Sequence, residues 1–112
     1  MLAGVFDVVA EPARRAILDL LRERPHSVGE LTEALGLSQP GTSKHLRVLR
    51  DAGLVDVTRD AQRRVYRLRA EPLAEIDAWL APYRRLWTRH LDRLERHLAG
   101  PRKPAASRKE RR

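Results

Sequence analysis

One short segment, "SQPGTSKHLRVLRDAG" (38–53), groups side chains that could pair with the bases and phosphates of a nucleic acid. In an α-helix, which turns about 100° per residue, one face of this segment is polar and carries Gln39, Pro40, Ser43, Lys44 and Arg47. The opposite stripe is small or apolar and consists of Thr42, Leu46, Leu49 and Gly53. The segment therefore predicts a helix with one face in the core and one face turned to DNA.

The start of this helix contains two poor helix formers, Pro40 and Gly41. With Ser38 as the N-cap, Pro40 falls in the first turn, where the backbone N–H groups have no partner inside the helix. Gly41 has no side chain, so another surface can approach the backbone closely. Both features are typical of a helix that enters a DNA major groove by its N-terminus.

The preceding residues predict the partner helix of a helix-turn-helix. "SVGE" (27–30) is a capping box, in which Ser27 caps a helix and Glu30 binds back to the cap. Gly36 suits a left-handed helix end, and only Leu37 separates it from Ser38. Two short helices joined by such a tight turn form a helix-turn-helix, whose recognition helix we place at about residues 38–52.

A basic hairpin, the wing, follows at about residues 54–69. Two β-prone runs, "LVDVTR" and "RVYRLR", are separated by "DAQR" and flanked by Arg59, Arg63 and Arg64. The tip has no glycine, which favours a turn that is longer or of type I. The predicted fold is mainly α with a small β-hairpin: a winged helix-turn-helix with five or six helices and a two-stranded wing.

The C-terminal part, about residues 72–98, predicts a dimerisation helix. Its apolar residues step by three and four as a helix–helix seam requires, and they are Leu73, Ile76, Leu80, Tyr83, Trp87, Leu91, Leu94 and Leu98. Pro82 predicts either a kink or a break. The aromatic cluster Trp79, Tyr83 and Trp87 could be dimer core or the lining of a small-molecule pocket, and its spacing favours the core.

Composition and charge point to a nucleic-acid partner. The 112 residues, 42% of them hydrophobic, fit one small domain at residues 1–99. The net charge is +8, and residues 101–112 hold six basic residues and one acidic residue. We expect residues 100–112 to be a disordered basic tail, which either extends a DNA contact or only aids solubility.

Several classes of protein and site are disfavoured. The absence of cysteine rules out disulfides and thiolate metal sites. No apolar run of about 18 residues and no secretory signal pattern is present, so we expect a cytoplasmic protein without a membrane partner. His90 and His97 share no helix face with both nearby carboxylates, so we predict no metal site and no cofactor. No nucleophile–base pair or phosphate loop is present, so we predict no enzyme.

The segment "SVGELTEALGLSQPGTSKHLRVLRDAGLVDVTRDAQRRVYRL" resembles the winged helix-turn-helix of the ArsR-type (ArsR/SmtB) transcriptional repressors. The resemblance covers about residues 5–98, and "LSQPGTSKHLRVLRDAGLV" is its most specific part. "WLAPYRRLWTRHLDRLERHL" is more similar to the metal-free, SdpR-like autorepressors than to the metal sensors. The resemblance implies a homodimer that reads an inverted repeat, with the first and last helices in the interface. The interface residues would be Val5, Phe6, Val9, Ile76, Leu80, Tyr83, Trp87, Leu91, Leu94 and Leu98.

The DNA-reading positions of that family fall on Gln39, Ser43 and Lys44. Pro40 and Gly41 stand where relatives often carry contacting side chains, and the wing lacks the common tip glycine. Lys44 could read guanine or meet phosphate, and the wing arginines could meet phosphate or, for Arg63, enter a minor groove.

The resulting prediction is a sequence-specific, metal-independent homodimeric repressor whose own promoter is a candidate operator. The alternatives are a metal-responsive repressor of the same fold and a basic protein that binds nucleic acid without sequence preference. The sequence does not define a small-molecule effector.

Overall fold

The computed structural model describes residues 4–99, which fold into five helices and three short strands. The predicted tail, residues 100–112, lies outside the described residues. Along the chain the elements are α1 (Val5–Val9), α2 (Pro12–Glu23), β1 (His26–Ser27), α3 (Val28–Leu35), α4 (Gln39–Asp51), β2 (Val55–Asp60), β3 (Arg63–Leu68) and α5 (Leu73–Ala99). The chain divides into two compact units after Ala78. The first unit holds every element up to the start of α5, and the second begins within α5.

Two arginines of α2 close the end of the short helix α1. The Arg14 Nε donates a hydrogen bond to the Val8 carbonyl at 2.7 Å, and the Arg15 guanidinium donates to the Val9 carbonyl at 2.7 Å. These carbonyls have no partner inside the helix, so charged donors from the next helix replace water there. The contacts hold a five-residue helix that would not be stable by itself.

Helices α3 and α4 form the predicted helix-turn-helix. The Glu30 N–H donates to the Ser27 hydroxyl at 3.2 Å, and the Ser27 N–H donates to the Glu30 carboxylate at 2.9 Å, so the predicted capping box is confirmed. Gly36 ends α3 with a φ of 66°, the left-handed conformation that glycine adopts without strain. Ser38 then caps α4.

The wing is part of a three-stranded antiparallel sheet in the order β1-β3-β2. The sequence did not predict β1, whose two residues pair with Tyr66 and Val65 of β3. Asp60 pairs with Arg63, so only two residues form the hairpin turn. The predicted longer or type I turn is therefore wrong, because Ala61 takes a φ of 60° and closes a tight turn without glycine.

The hydrophobic core of the first unit lies between α1–α4 and the sheet. Its fully buried members include Val8, Ile17, Leu31, Leu46, Leu49 and Leu54. Val5 is only 5% exposed within the single chain, because α1 packs it into this core. Little of its surface is therefore left for the dimer interface in which the sequence placed it.

Helix α5 is one continuous helix of 27 residues, with Pro82 inside it. The break considered at this proline does not occur. None of the residues of α5 is buried in the single chain, and Leu73 and Ile76 pack partly against the core of the first unit. No helix in residues 4–99 is long and apolar enough to span a membrane.

Candidate nucleic-acid interface

The start of α4 is fixed by a chain of side-chain hydrogen bonds. The Ser38 hydroxyl accepts from the Gly41 N–H at 3.0 Å. The buried Thr42 hydroxyl donates to the Ser38 carbonyl at 2.9 Å and accepts from the Thr32 hydroxyl of α3 at 3.0 Å. These bonds join the first turn of α4 to the middle of α3, so the position of α4 relative to α3 is fixed.

Gly41 has a structural role in this cap. A Cβ at this position would lie 2.9 Å from the Ser38 hydroxyl oxygen, closer than a nonbonded contact allows. A larger residue would therefore displace the capping hydroxyl. The sequence indicated a close approach at this position, and the structure places the capping hydroxyl itself there.

The polar face of α4 is open along its length. Gln39, Pro40, Ser43, Lys44 and Arg47 are all exposed, and Gly41 is half-buried. The opposite face buries Thr42, Leu46 and Leu49. Within residues 4–99, the side chains of Gln39, Ser43, Lys44 and Arg47 form no hydrogen bond or ion pair, so their donors and acceptors are free for a partner.

The wing separates its three predicted arginines onto two faces. Arg59 and Arg64 are directly opposite in the β2–β3 register, on the same face as the paired Val57 and Tyr66. On this face Tyr66 is buried in the core, whereas both arginines are exposed. Like charges in this position repel, which favours binding of an anion between them. Arg63 lies on the other face of the hairpin.

Arg63 has an electrostatic effect on an acidic residue of α3. The pKa of the Glu30 carboxyl is lowered mainly by the hydrogen bond from the Ser27 N–H and further by the positive charges of Arg24 and Arg63. The positive charge of Arg63 thus contributes to the electrostatic environment of Glu30 at the start of α3.

A cleft of about 430 Å³ lies between α4 and β3. It brings together four residues that the sequence selected: Gln39, Ser43, Arg47 and Arg64. Lys44, Pro40, Arg59 and Arg63 are not part of its lining. The cleft also contains Arg50, which the sequence analysis missed. Arg50 follows Gln39, Ser43 and Arg47 at helical spacing, so the same helical periodicity could have selected it.

The histidines of the first unit have protein partners. The His26 Nδ1 lies 2.8 Å from the Arg24 carbonyl, which makes it a hydrogen-bond donor, and His26 is buried. The His45 Nδ1 lies 3.4 Å from the Arg14 guanidinium. In the part of the chain that the structure describes, no three histidine or carboxylate side chains group as a metal site would require.

The second unit presents large apolar side chains to solvent. Within α5, the exposed residues are Trp79, Tyr83, Leu86, Trp87, Leu91, Leu94 and Leu98. The rings of Trp79 and Tyr83 contact each other, with centroids 5.0 Å apart. Of the other predicted interface residues, Phe6 is exposed in α1, while Val9, Ile76 and Leu80 are half-buried.

Known proteins are similar to this chain in both sequence and fold. The family model "Bacterial regulatory protein, arsR family" matches residues 11–57. The HTH-type transcriptional regulator YgaV of Escherichia coli (strain K12) is 43% identical over 70% of this chain and 80% of its own length. The transcriptional repressor SdpR of Bacillus subtilis (strain 168) is 33% identical over 69% of this chain and 86% of its own.

Solved structures agree with these relatives. The crystal structure of the ArsR family transcriptional regulator RHA00566 superposes with a TM-score of 0.66 at 33% identity, over 76% of this chain and 93% of its own. NolR from Sinorhizobium fredii superposes with a TM-score of 0.60 at 36% identity, over 71% of this chain and 81% of its own.

A helix-turn-helix followed by an antiparallel wing, with an exposed polar recognition helix, defines a winged helix-turn-helix protein, as the sequence predicted. The chain belongs to the arsR family of bacterial regulatory proteins and is a DNA-binding transcriptional regulator. The predictions of the family and of a protein that is not an enzyme are confirmed by these relatives, which regulate transcription.

Proposed function

We propose that this protein is a homodimeric repressor that binds an inverted-repeat operator in the cytoplasm. The observation that carries the proposal is the polar face of α4, which is exposed and unpaired in residues 4–99 while the start of the helix is fixed by Ser38, Thr42 and Thr32. A rigid helix with free donors and acceptors is suited to reading bases in a major groove. The name of the similar SdpR as a transcriptional repressor supports repression.

The recognition helix supplies the base contacts in this proposal. Gln39 pairs with adenine and Lys44 with guanine, while Ser43 pairs with either. Pro40 and Gly41 bring the first turn close to the DNA. Arg47 and the wing arginines Arg59, Arg63 and Arg64 contact phosphates, which position the protein without reading sequence.

The apolar stripe of α5 supplies the dimer contact. Trp87 is 50% exposed, Leu91 62% and Leu98 69% in the single chain. A row of large apolar side chains at a helical spacing is costly to leave in water and is typical of an interface. Two copies joined in this way present two recognition helices to half-sites about one helical turn, roughly 34–36 Å, apart.

Metal independence belongs to the same proposal. Helix α3 carries only carboxylates where thiolate sensors have ligands, and the chain has no cysteine. His90 and His97 are seven residues apart on α5, with no third ligand grouped with them in residues 4–99. Zinc is therefore expected to leave operator binding unchanged.

The test is binding of the full chain to the DNA upstream of its own gene, measured by mobility shift at about 150 mM salt. Scrambled DNA and added zinc form separate arms. We expect a preference of at least ~10³-fold for the upstream fragment, because specific regulators typically reach that ratio. Equal binding to scrambled DNA would contradict a sequence-specific repressor of this promoter, and loss of binding in zinc would contradict metal independence.

Two variants test the recognition helix, and one provides a control. Lys44→Ala is expected to weaken operator binding, and Gln39→Ala to relax specificity at one base pair. Arg22→Ala, at an exposed position of α2 outside the proposed surface, is the control and should bind like the parent. If Lys44→Ala and Gln39→Ala both bind like the parent, the assignment of α4 is wrong.

A further inference from the structure

The cleft between α4 and β3 concentrates positive charge in one recess. Its lining residues include three arginines, Arg47, Arg50 and Arg64, and a single acidic residue, Asp51. None of these three arginines forms an ion pair or a side-chain hydrogen bond among residues 4–99. Three unpaired guanidinium groups around one recess repel each other, and this repulsion is relieved when an anion binds.

The wing adds to this charge. Arg64 lines the cleft, and Arg59 is its direct cross-strand partner on the same face of the hairpin. A hairpin usually avoids like charges in that position, because they destabilise the strand pair. The pair therefore indicates that this surface meets negative charge in the functional state.

The neutral groups of the cleft suit a phosphate. Gln39, Ser43 and Tyr66 also line the cleft, and their side chains carry amide and hydroxyl groups. Guanidinium groups match phosphate oxygens with paired N–H donors, a geometry that gives strong, charge-assisted hydrogen bonds. The volume of about 430 Å³ exceeds what one phosphate fills, so the recess can also hold the group to which the phosphate is attached.

We propose that this cleft is a phosphate-binding site in which Arg47, Arg50 and Arg64 bind one phosphate group, with Arg47 and Arg50 contributed by α4 and Arg64 by β3. The phosphate is either part of the DNA backbone or part of a small free molecule. Because Gln39, Ser43, Arg47 and Arg64 also belong to the proposed DNA surface, a free phosphate compound in the cleft competes with the operator. This last consequence rests on the proposed function, whereas phosphate binding itself does not.

The first experiment uses the full-length protein without DNA. Pyrophosphate is titrated into the parent, Arg50→Ala and Arg22→Ala, and binding is followed by calorimetry at constant ionic strength. We expect Arg50→Ala to lose at least about tenfold in affinity, because a charge-assisted contact is removed, and Arg22→Ala to bind like the parent. Circular dichroism checks that each variant is folded. Equal pyrophosphate affinity in all three proteins, or no binding to the parent, would overturn the proposal.

The second experiment identifies the source of the phosphate. Operator affinity of the parent and of Arg50→Ala is measured across a series of salt concentrations. A fall of about 1 in the slope of log K against log salt means that Arg50 meets a backbone phosphate. An unchanged slope, together with the loss of pyrophosphate binding, means that the site takes a free phosphate compound. If the parent shows no operator preference, the proposed function fails while the pyrophosphate result still decides the site.

Discussion

The Thr32 hydroxyl of α3 donates a hydrogen bond to the Thr42 hydroxyl of α4 at 3.0 Å, and Thr42 is completely buried. Thr42 in turn donates to the Ser38 carbonyl at 2.9 Å. Thr42, a polar residue on the buried face of α4, thus links the two helices of the helix-turn-helix. Its hydroxyl is used both as donor and as acceptor, so its burial carries no unsatisfied polar group.

Replacing Thr42 by valine keeps the shape of the side chain and removes both bonds. We expect the free energy of unfolding to fall by about 1–3 kcal/mol, because the Ser38 carbonyl and the Thr32 hydroxyl each lose a partner. Urea denaturation measures the change. Thr88→Val, at an exposed position of α5, is the control and should change stability little. Equal stability of Thr42→Val and the parent would contradict the linking role of Thr42.

Gly41 and Ser38 are expected to be energetically coupled. In most helical positions, replacing glycine by alanine stabilises a protein by about 0.8–1.0 kcal/mol. Here the new Cβ would press on the Ser38 hydroxyl at 2.9 Å and weaken the cap, so Gly41→Ala should give little or no gain in the parent. In a Ser38→Ala background, where no capping hydroxyl remains, the same change should recover the gain. A double-mutant cycle measured by urea denaturation tests this coupling, and additive effects of the two substitutions would contradict it.

The Glu30 carboxyl gives a pH dependence with a defined sign. Its pKa is lowered below 4.5 mainly by the hydrogen bond from the Ser27 N–H. A lowered pKa in the folded state stabilises the protein above the unfolded-state value of 4.5 and loses this contribution as pH falls through the folded-state value. The stability advantage of the parent over Glu30→Gln should therefore shrink as pH decreases below about 4.5.

Urea denaturation between pH 7 and pH 3 tests this dependence. Glu33→Gln, at an exposed position of the same helix, is the control, and its difference from the parent should vary less with pH. A Glu30→Gln variant whose stability follows the parent in parallel over the whole range would show that the capping box does not titrate in this way.

The tip of the wing contains a strained residue. Ala61 has a φ of 60°, where the Cβ of an L-amino acid is crowded at a cost of about 1–2 kcal/mol. Ala61→Gly removes the strain but adds freedom to the unfolded chain, so we expect a net gain of about 0.5–1 kcal/mol. Thermal unfolding measures it. Gln62→Gly, in the same turn without a positive φ, should give no gain, and equal effects at both positions would contradict the strain.

The proposed dimer depends on the exposed stripe of α5. Leu91→Glu places a charge in the middle of this stripe and should convert the protein to a monomer at micromolar concentration, because an unpaired charge in an apolar interface is costly. Sedimentation velocity measures the mass. Arg89→Glu, which also introduces a carboxylate into α5 at a position outside the stripe, should remain dimeric. A parent protein that sediments as a monomer would contradict the dimer itself.

Local sequence patterns determined most of the helical architecture. The capping box of Ser27 and Glu30, the left-handed end at Gly36 and the N-cap at Ser38 each depend on residues within three or four positions, so their chemistry is visible in the sequence. The two faces of α4 and the apolar stripe of α5 follow from the same helical periodicity. The two β-prone runs after the recognition helix predicted the wing. The resemblance to a known family added the expectation of a homodimer that reads an inverted repeat.

Only the tertiary structure decided which distant residues meet. The bond between Thr32 and Thr42, the pairing of β1 with β3 and the cleft that joins Arg50 to Arg64 all depend on how separate elements pack. The burial of Val5 and the tight turn at Ala61 likewise result from packing and strand pairing that override local preference. Local patterns fix which face of a helix is apolar, because that requires only neighbours in sequence. Contacts between elements form only after the chain has closed its loops, and the sequence carries no local signal for them.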